Sequence, residues 1–135
     1  MQTTKPRDST TFERSYAGLV DQMARVRADL AQAAHGCPIA DDLVLLASEL
    51  ATNAILHSKS GRPGQLFTVR ATIYHAEYVW AEVIDCGGPW AIDAHDDEHG
   101  RGLSIVATIA GAGNWGIDGD EAARVAWFRL QWDQE

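Results

Sequence analysis

Residues 43–57 read LVLLASELATNAILH, and this stretch decides the fold. Its spacing predicts a helix with one broad apolar stripe. At about 100° per residue, with Leu50 as zero, Leu43, Leu46, Ala47 and Ala54 fall within roughly 60° of it. Asn53 lies roughly 60° to the other side and Glu49 roughly 100°. The two polar side chains are four residues apart, so they stack one turn from each other along a margin of the buried stripe. A carboxylate and an amide held half-buried suit ligand or metal work. Taken alone, the pair also fits a helix with a surface glutamate and a boundary asparagine, so its meaning depends on the rest of the chain.

The chain has 135 residues, the size of one domain with a sizeable core. Residues 1–10 read as a flexible polar tail and 11–135 as the domain. A hydrophobic content of 46% and a charged content of 22% are those of a globular chain. The net charge of −8 argues against a general binder of nucleic acid or anionic membrane. An early cluster of Arg14, Arg25 and Arg27 leaves room for a local basic patch. The N-terminus is polar, without the pattern of a secretory signal, and no apolar run approaches the roughly 20 residues that span a bilayer. Cys37 and Cys86 form no metal or redox motif, so free thiols in a reducing cytoplasm are the expectation.

Outward from the opening helix, Thr11–Tyr16 reads as a strand. Leu19, Met23, Val26 and Leu30 recur at helical spacing and predict a helix over 18–34, stopped by His35-Gly36-Cys37-Pro38. The second helix runs from Ile39 to His57, with Asp41 and Asp42 at its positive end. After a turn cluster at 58–64, Leu66–Tyr74 alternates, with Phe67, Val69, Ala71 and Ile73 on one face. Val79–Ile84 completes a hairpin across His75-Ala76-Glu77. Residues 90–99 read as an irregular acidic loop, and Gly100-Arg101-Gly102 as the opening of a further helix. A strand over 114–117, a turn at Asp118-Gly119-Asp120 and a strand over 123–131 end the chain. This order predicts an α+β two-layer sandwich, with a mixed, mostly antiparallel sheet and the helices on one face.

Three elements carry chemistry. Glu49 and Asn53 lie on a helix. Asp85-x-Gly87 ends a strand, where a fixed carboxylate can accept from an exocyclic amine and a glycine lets a flat ring approach. Gly100-x-Gly102-Leu103 opens a helix, where backbone N–H groups can surround a phosphate.

In this order, SELATNAILHS (48–58), VIDCGGP (83–89) and HGRGLSIV (99–106) resemble the ATP-binding domain of the GHKL superfamily, the Bergerat fold. The resemblance covers roughly residues 11–132. It looks closest to the small bacterial anti-sigma-factor serine/threonine kinases of the SpoIIAB and RsbW type. The resemblance implies that Asn53 is the ligand of Mg²⁺ and that Glu49 polarises the attacking hydroxyl or water. It implies that Asp85 recognises adenine beside Gly87. Gly100 and Gly102, with Arg101 and Leu103, would then close over the phosphates of ATP. As partners it implies a sigma factor and a STAS-like antagonist, with no direct contact to nucleic acid or membrane. It also leaves room for a homodimer.

Two positions depart from the superfamily pattern. Pro89 stands where a second glycine is usual. Val125 is aligned with a threonine near the adenine aspartate, which implies weaker nucleotide affinity. Competing readings are an ATP-binding regulator of the same fold without kinase activity, and a non-enzymatic interaction or metal-binding module. The metal reading would draw on His95, Asp96, Asp97, Glu98 and His99, which read more simply as a solvated loop. His57 reads as a structural histidine.

Overall fold

The computed structural model describes residues 8–88 and 97–132, and side chains of the second stretch from residue 102 onward. The expected tail (1–7 of it), Pro89, Trp90, the side chains of the acidic cluster and that of Arg101 lie outside the described residues.

The opening stretch is a helix. α2 spans Ala40–His57 with Asp41 and Asp42 in its first turn. Leu43, Leu46, Ala47, Leu50, Ala51 and Ala54 are buried along one side. Glu49 and Asn53 are half-buried at the margin. Each buried leucine contributes on the order of 2 kcal/mol, so the stripe fixes which way the helix faces. α1, Met23–Ala33, packs beside it through Met23, Val26 and Leu30. The helix expected from residue 18 begins later, because a 3-10 turn at Val20–Gln22 precedes it. Gly18 is pressed against the backbone of Ser60, a contact that a straight helical entry would break. Gly36 ends α1 in the left-handed region, at φ +86°.

Among the described residues five strands form one sheet in the order β1-β2-β3-β5-β4. They are β1 (Ser9–Ala17), β2 (Leu66–Tyr74), β3 (Tyr78–Asp85), β4 (Trp115–Gly119) and β5 (Arg124–Gln131). The four pairings among the described residues are all antiparallel, in line with the expected mostly antiparallel sheet. The chain leaves β3, passes through α3 (Asp97–Ala110), forms β4, and returns as β5 into the gap between them. β3 and β4 thus run the same way but never pair. The alternation in β2 holds: Phe67, Val69, Ala71 and Ile73 are all buried on the inner face. The β2–β3 turn is tight, with Ala76 at φ +66° and Glu77 N–H donating to Tyr74 O at 2.9 Å.

The helices α1, α2 and α3 lie on one face, with α2 between α1 and α3 and against β2 and β3. On the opposite face Trp80 stacks on Trp127 at 4.6 Å, and Arg70 pairs with Glu13 and Glu82. The early arginines do not all stay free: Arg14 bonds Asp29 of α1 at 2.9 Å, and Tyr16 donates to the same carboxylate at 2.7 Å. Cys37 and Cys86 are free thiols. No helix among the described residues is long and apolar enough to cross a membrane.

Further boundaries move, and β1 begins at Ser9 rather than Thr11. β4 continues through Asp118 and Gly119, so the turn to β5 lies at 120–123, closed by Asp120 N–H donating to Ala123 O at 2.8 Å. α3 starts at Asp97, so Gly100 and Gly102 lie within its first two turns rather than at its mouth.

Candidate nucleotide site

The site is built where the C-terminal end of β3 meets the middle of α2. Val83 continues the buried parity of β3, and Asp85 is the next residue on that face. Only 12% of its side chain is exposed. Burial raises its pKa above the ordinary carboxylate range, because the charged form loses hydration. Two groups oppose that shift. Gly87 N–H donates to Oδ1 at 2.6 Å, and the Arg124 guanidinium lies beside the same oxygen, Nε to Oδ1 3.6 Å.

Gly87 is the residue that turns the chain after this aspartate. It sits at φ +70°, and a Cβ there would collide with the Glu121 and Asp120 carbonyls. The turn between β4 and β5 therefore lies directly on it. Gly87 O accepts from Lys59 N–H at 2.8 Å, which ties the same turn to the end of α2. The expected role of this glycine was space for a base; its missing side chain makes room for backbone as well.

Asn53 faces Asp85 across a narrow pocket lined by Leu50, Ala54, Val83, Leu103, Ile117 and Ala126. Three sequence-predicted residues from distant parts of the chain, Asn53, Asp85 and Leu103, are brought together there. The pocket has room for little more than a water molecule, so a purine ring enters only if its lining moves apart. Asn53 Nδ2 is buried and makes no hydrogen bond among the described residues. Such a group costs roughly 1–3 kcal/mol. Turned about its last bond, the amide offers its carbonyl oxygen in the same place.

Gly102 joins α3 to this pair. A Cβ there would lie 3.1 Å from Glu49 Oε2, and 3.6 and 3.7 Å from the amide nitrogen and oxygen of Asn53. Gly102 is thus a point of close approach between α3 and the polar margin of α2. Gly100 lies half a turn earlier, among the first four residues of α3, whose N–H groups lack partners within the helix.

The residue that sequence reasoning missed is Arg124. The register pairs Asp85 with Arg124, and Ile84 with Val125. Val125 therefore points to the outer face, away from the aspartate it was expected to neighbour, and Arg124 takes that place. It is only 7% exposed. Arg124 shares its face with Ala126, Phe128 and Leu130, but Val125 and Trp127 make the other parity apolar too, so only the pairing with β3 puts this charge on the buried side.

Among the described residues no group of three or more His, Cys, Asp or Glu side chains could hold a metal ion. Asn53 and Glu49 suit a different kind of site, one in which the ligand itself brings most of the oxygen atoms. No curated protein matches the chain. The model of the histidine kinase-like ATPase domain matches residues 16–122, most of the chain and all of the site except Arg124 and Ala126. With the antiparallel sheet, the helices on one face and the pocket between them, the chain belongs to the histidine kinase-like ATPase domain family, a membership that points to ATP binding.

Proposed function

We propose that this protein is a cytoplasmic anti-sigma factor with serine/threonine kinase activity. It binds Mg-ATP, transfers the γ-phosphoryl group to an antagonist protein, and holds off a sigma factor. The observation that supports this best is the convergence of Asn53, Asp85 and Leu103 on one pocket, with Glu49 one turn from Asn53 and beside Gly102.

The division of labour follows from the side chains. The Asp85 carboxylate accepts from the exocyclic amine of adenine, and Val83, Ile117 and Ala126 offer apolar walls to the ring. The Asn53 amide oxygen is a hard ligand of the kind magnesium takes, and an amide whose buried nitrogen finds no partner among the described residues can turn that oxygen toward Mg-ATP. Magnesium bound there would neutralise charge on the transferring phosphoryl group. Glu49 accepts the proton of the attacking serine or threonine hydroxyl as its oxygen bonds the γ-phosphorus and ADP departs. The N-terminal turn of α3, with Gly100 and Arg101, supplies donors and charge to the phosphates.

Calorimetry with Mg-ATP and transfer of γ-labelled phosphate to proteins of the native cell extract test this reading. The wild type is expected to bind ATP only with magnesium and to label a partner. Asn53→Ala should lose binding, and Glu49→Ala should keep binding and lose labelling. Absence of Mg-dependent ATP binding in the wild type sinks the proposal. Binding without any labelling leaves a non-catalytic regulator of the same fold.

A further inference from the structure

Asp85 is not a lone acceptor. Its Oδ1 is held from two sides, by the Gly87 N–H and by Arg124, while Oδ2 accepts no hydrogen bond among the described residues. The pair is set by the sheet itself, since Asp85 and Arg124 are opposite one another in the β3–β5 register and share the inner face. At 3.6 Å the guanidinium is too far for a good hydrogen bond and acts through its charge. Both side chains are almost out of water, where a charge acts more strongly than at the surface.

We propose that Arg124 is a positioning residue for base recognition: it keeps Asp85 an ionised, acceptor-only group with Oδ2 turned to the base, and so selects a 6-amino purine over a 6-oxo purine. The inference rests on the nucleotide reading above and adds a residue beyond the stretch matched by the family model.

The chemistry is direct. An ionised carboxylate can only accept, so it takes the amine of adenine and repels the carbonyl oxygen of hypoxanthine. A neutral carboxyl can donate through its O–H and would accept either base. Burial alone favours the neutral form, and the Arg124 charge opposes it. The elements packed around Asp85 also carry Glu49, His57, Lys59, Cys86, Asp120 and Glu121. Cys86 is turned away, with its Sγ on Gln65 and Leu66, and the Lys59 charge bears on Asp120. Among the described residues Arg124 is the group whose charge acts on Asp85.

Calorimetry with Mg-ATP and Mg-ITP, which differ at the amine position, tests the proposal on the full chain. The wild type is expected to prefer ATP by at least about tenfold. In Arg124→Met the ATP affinity should fall about tenfold while ITP changes little, so the preference collapses. Arg124→Lys should retain the preference, because it keeps the charge. Arg124→Gln, which keeps the polarity but not the charge, decides the matter if the Met variant fails to fold. An unchanged ATP-to-ITP ratio in a folded neutral variant overturns the role of Arg124 and leaves the nucleotide reading standing. A wild type that binds neither nucleotide overturns both.

Discussion

Gly102 of α3 lies so close to Glu49 of α2 that a Cβ on it would sit 3.1 Å from the carboxylate oxygen Oε2. The second turn of α3 is thus seated on the residue to which proton transfer is assigned in the proposal. Alanine at this position has two opposed effects. It favours the helix by roughly 0.5–1 kcal/mol, because glycine loses more backbone freedom. It also pushes the flexible end of Glu49 by a few tenths of an ångström. Gly102→Ala is therefore expected to keep or slightly raise the melting temperature while slowing phosphate transfer. A variant with full transfer activity would show that the close approach does not matter.

Asn53 and Glu49 should separate binding from transfer, and stability should separate them again. The buried amide nitrogen of Asn53 has no partner among the described residues, so Asn53→Ala removes a donor that these residues do not use. Its unfolding free energy should stay within about 1 kcal/mol of the wild type while Mg-ATP affinity is lost. Urea denaturation beside calorimetry checks both halves. A large loss of stability would mean that Asn53 holds the fold rather than a ligand.

Gly87 and Gly36 make a matched pair. Both have positive φ, +70° and +86°. A Cβ on Gly36 meets nothing within 4 Å, whereas one on Gly87 runs into the backbone of Glu121. Gly36→Ala should cost about 1 kcal/mol, the backbone penalty alone. Gly87→Ala should cost clearly more, on the order of 3 kcal/mol, because the β4–β5 turn must shift. Equal costs by chemical denaturation would contradict the close packing of the two turns.

Tyr16 gives the stability a pH dependence. Burial and the neighbouring Asp29 carboxylate raise its pKa far above the ordinary phenol value. Above about pH 10 the unfolded chain ionises this phenol and the folded chain does not. The unfolded state then binds fewer protons, so stability falls as pH rises, by roughly 1.4 kcal/mol per pH unit from this group. Below that pH the contribution is constant. Tyr16→Phe should flatten the alkaline limb of the stability profile, and an identical slope in both proteins would refute the assignment.

The Cys37 thiol is also pushed up, by burial alone. Its alkylation by iodoacetamide at pH 8 should run slower than that of free cysteine, since the thiolate is the nucleophile. Mass-spectrometric rates on the folded protein, with Cys86→Ser to isolate the site, measure it.

How much of this was legible in advance depends on the residue. The stripe of α2 needs no partner to be read: Leu43, Leu46, Leu50 and Ala54 repeat at the helical period, and Glu49 and Asn53 follow at its margin. β2 is as plain, because Phe67, Val69, Ala71 and Ile73 alternate strictly. Those two elements suffice for a layer of helices on a sheet, and with Asp85-x-Gly87 they mark out the pocket. β5 is different. Val125, Ala126, Trp127, Phe128 and Leu130 put apolar side chains on both parities, so the strand by itself does not say which face is buried. A slip of one residue turns every side chain over. Pairing with β3 decides it, placing Arg124 rather than Val125 beside Asp85. The early start of α3 and the seat of Gly102 on Glu49 are likewise tertiary, fixed when α3 packs against α2. The sequence by itself determined the two layers and the polar margin of α2, because periodicity is a local property. The tertiary structure alone decided the second charge at the base pocket, because register is a relation between strands and is not written in either one.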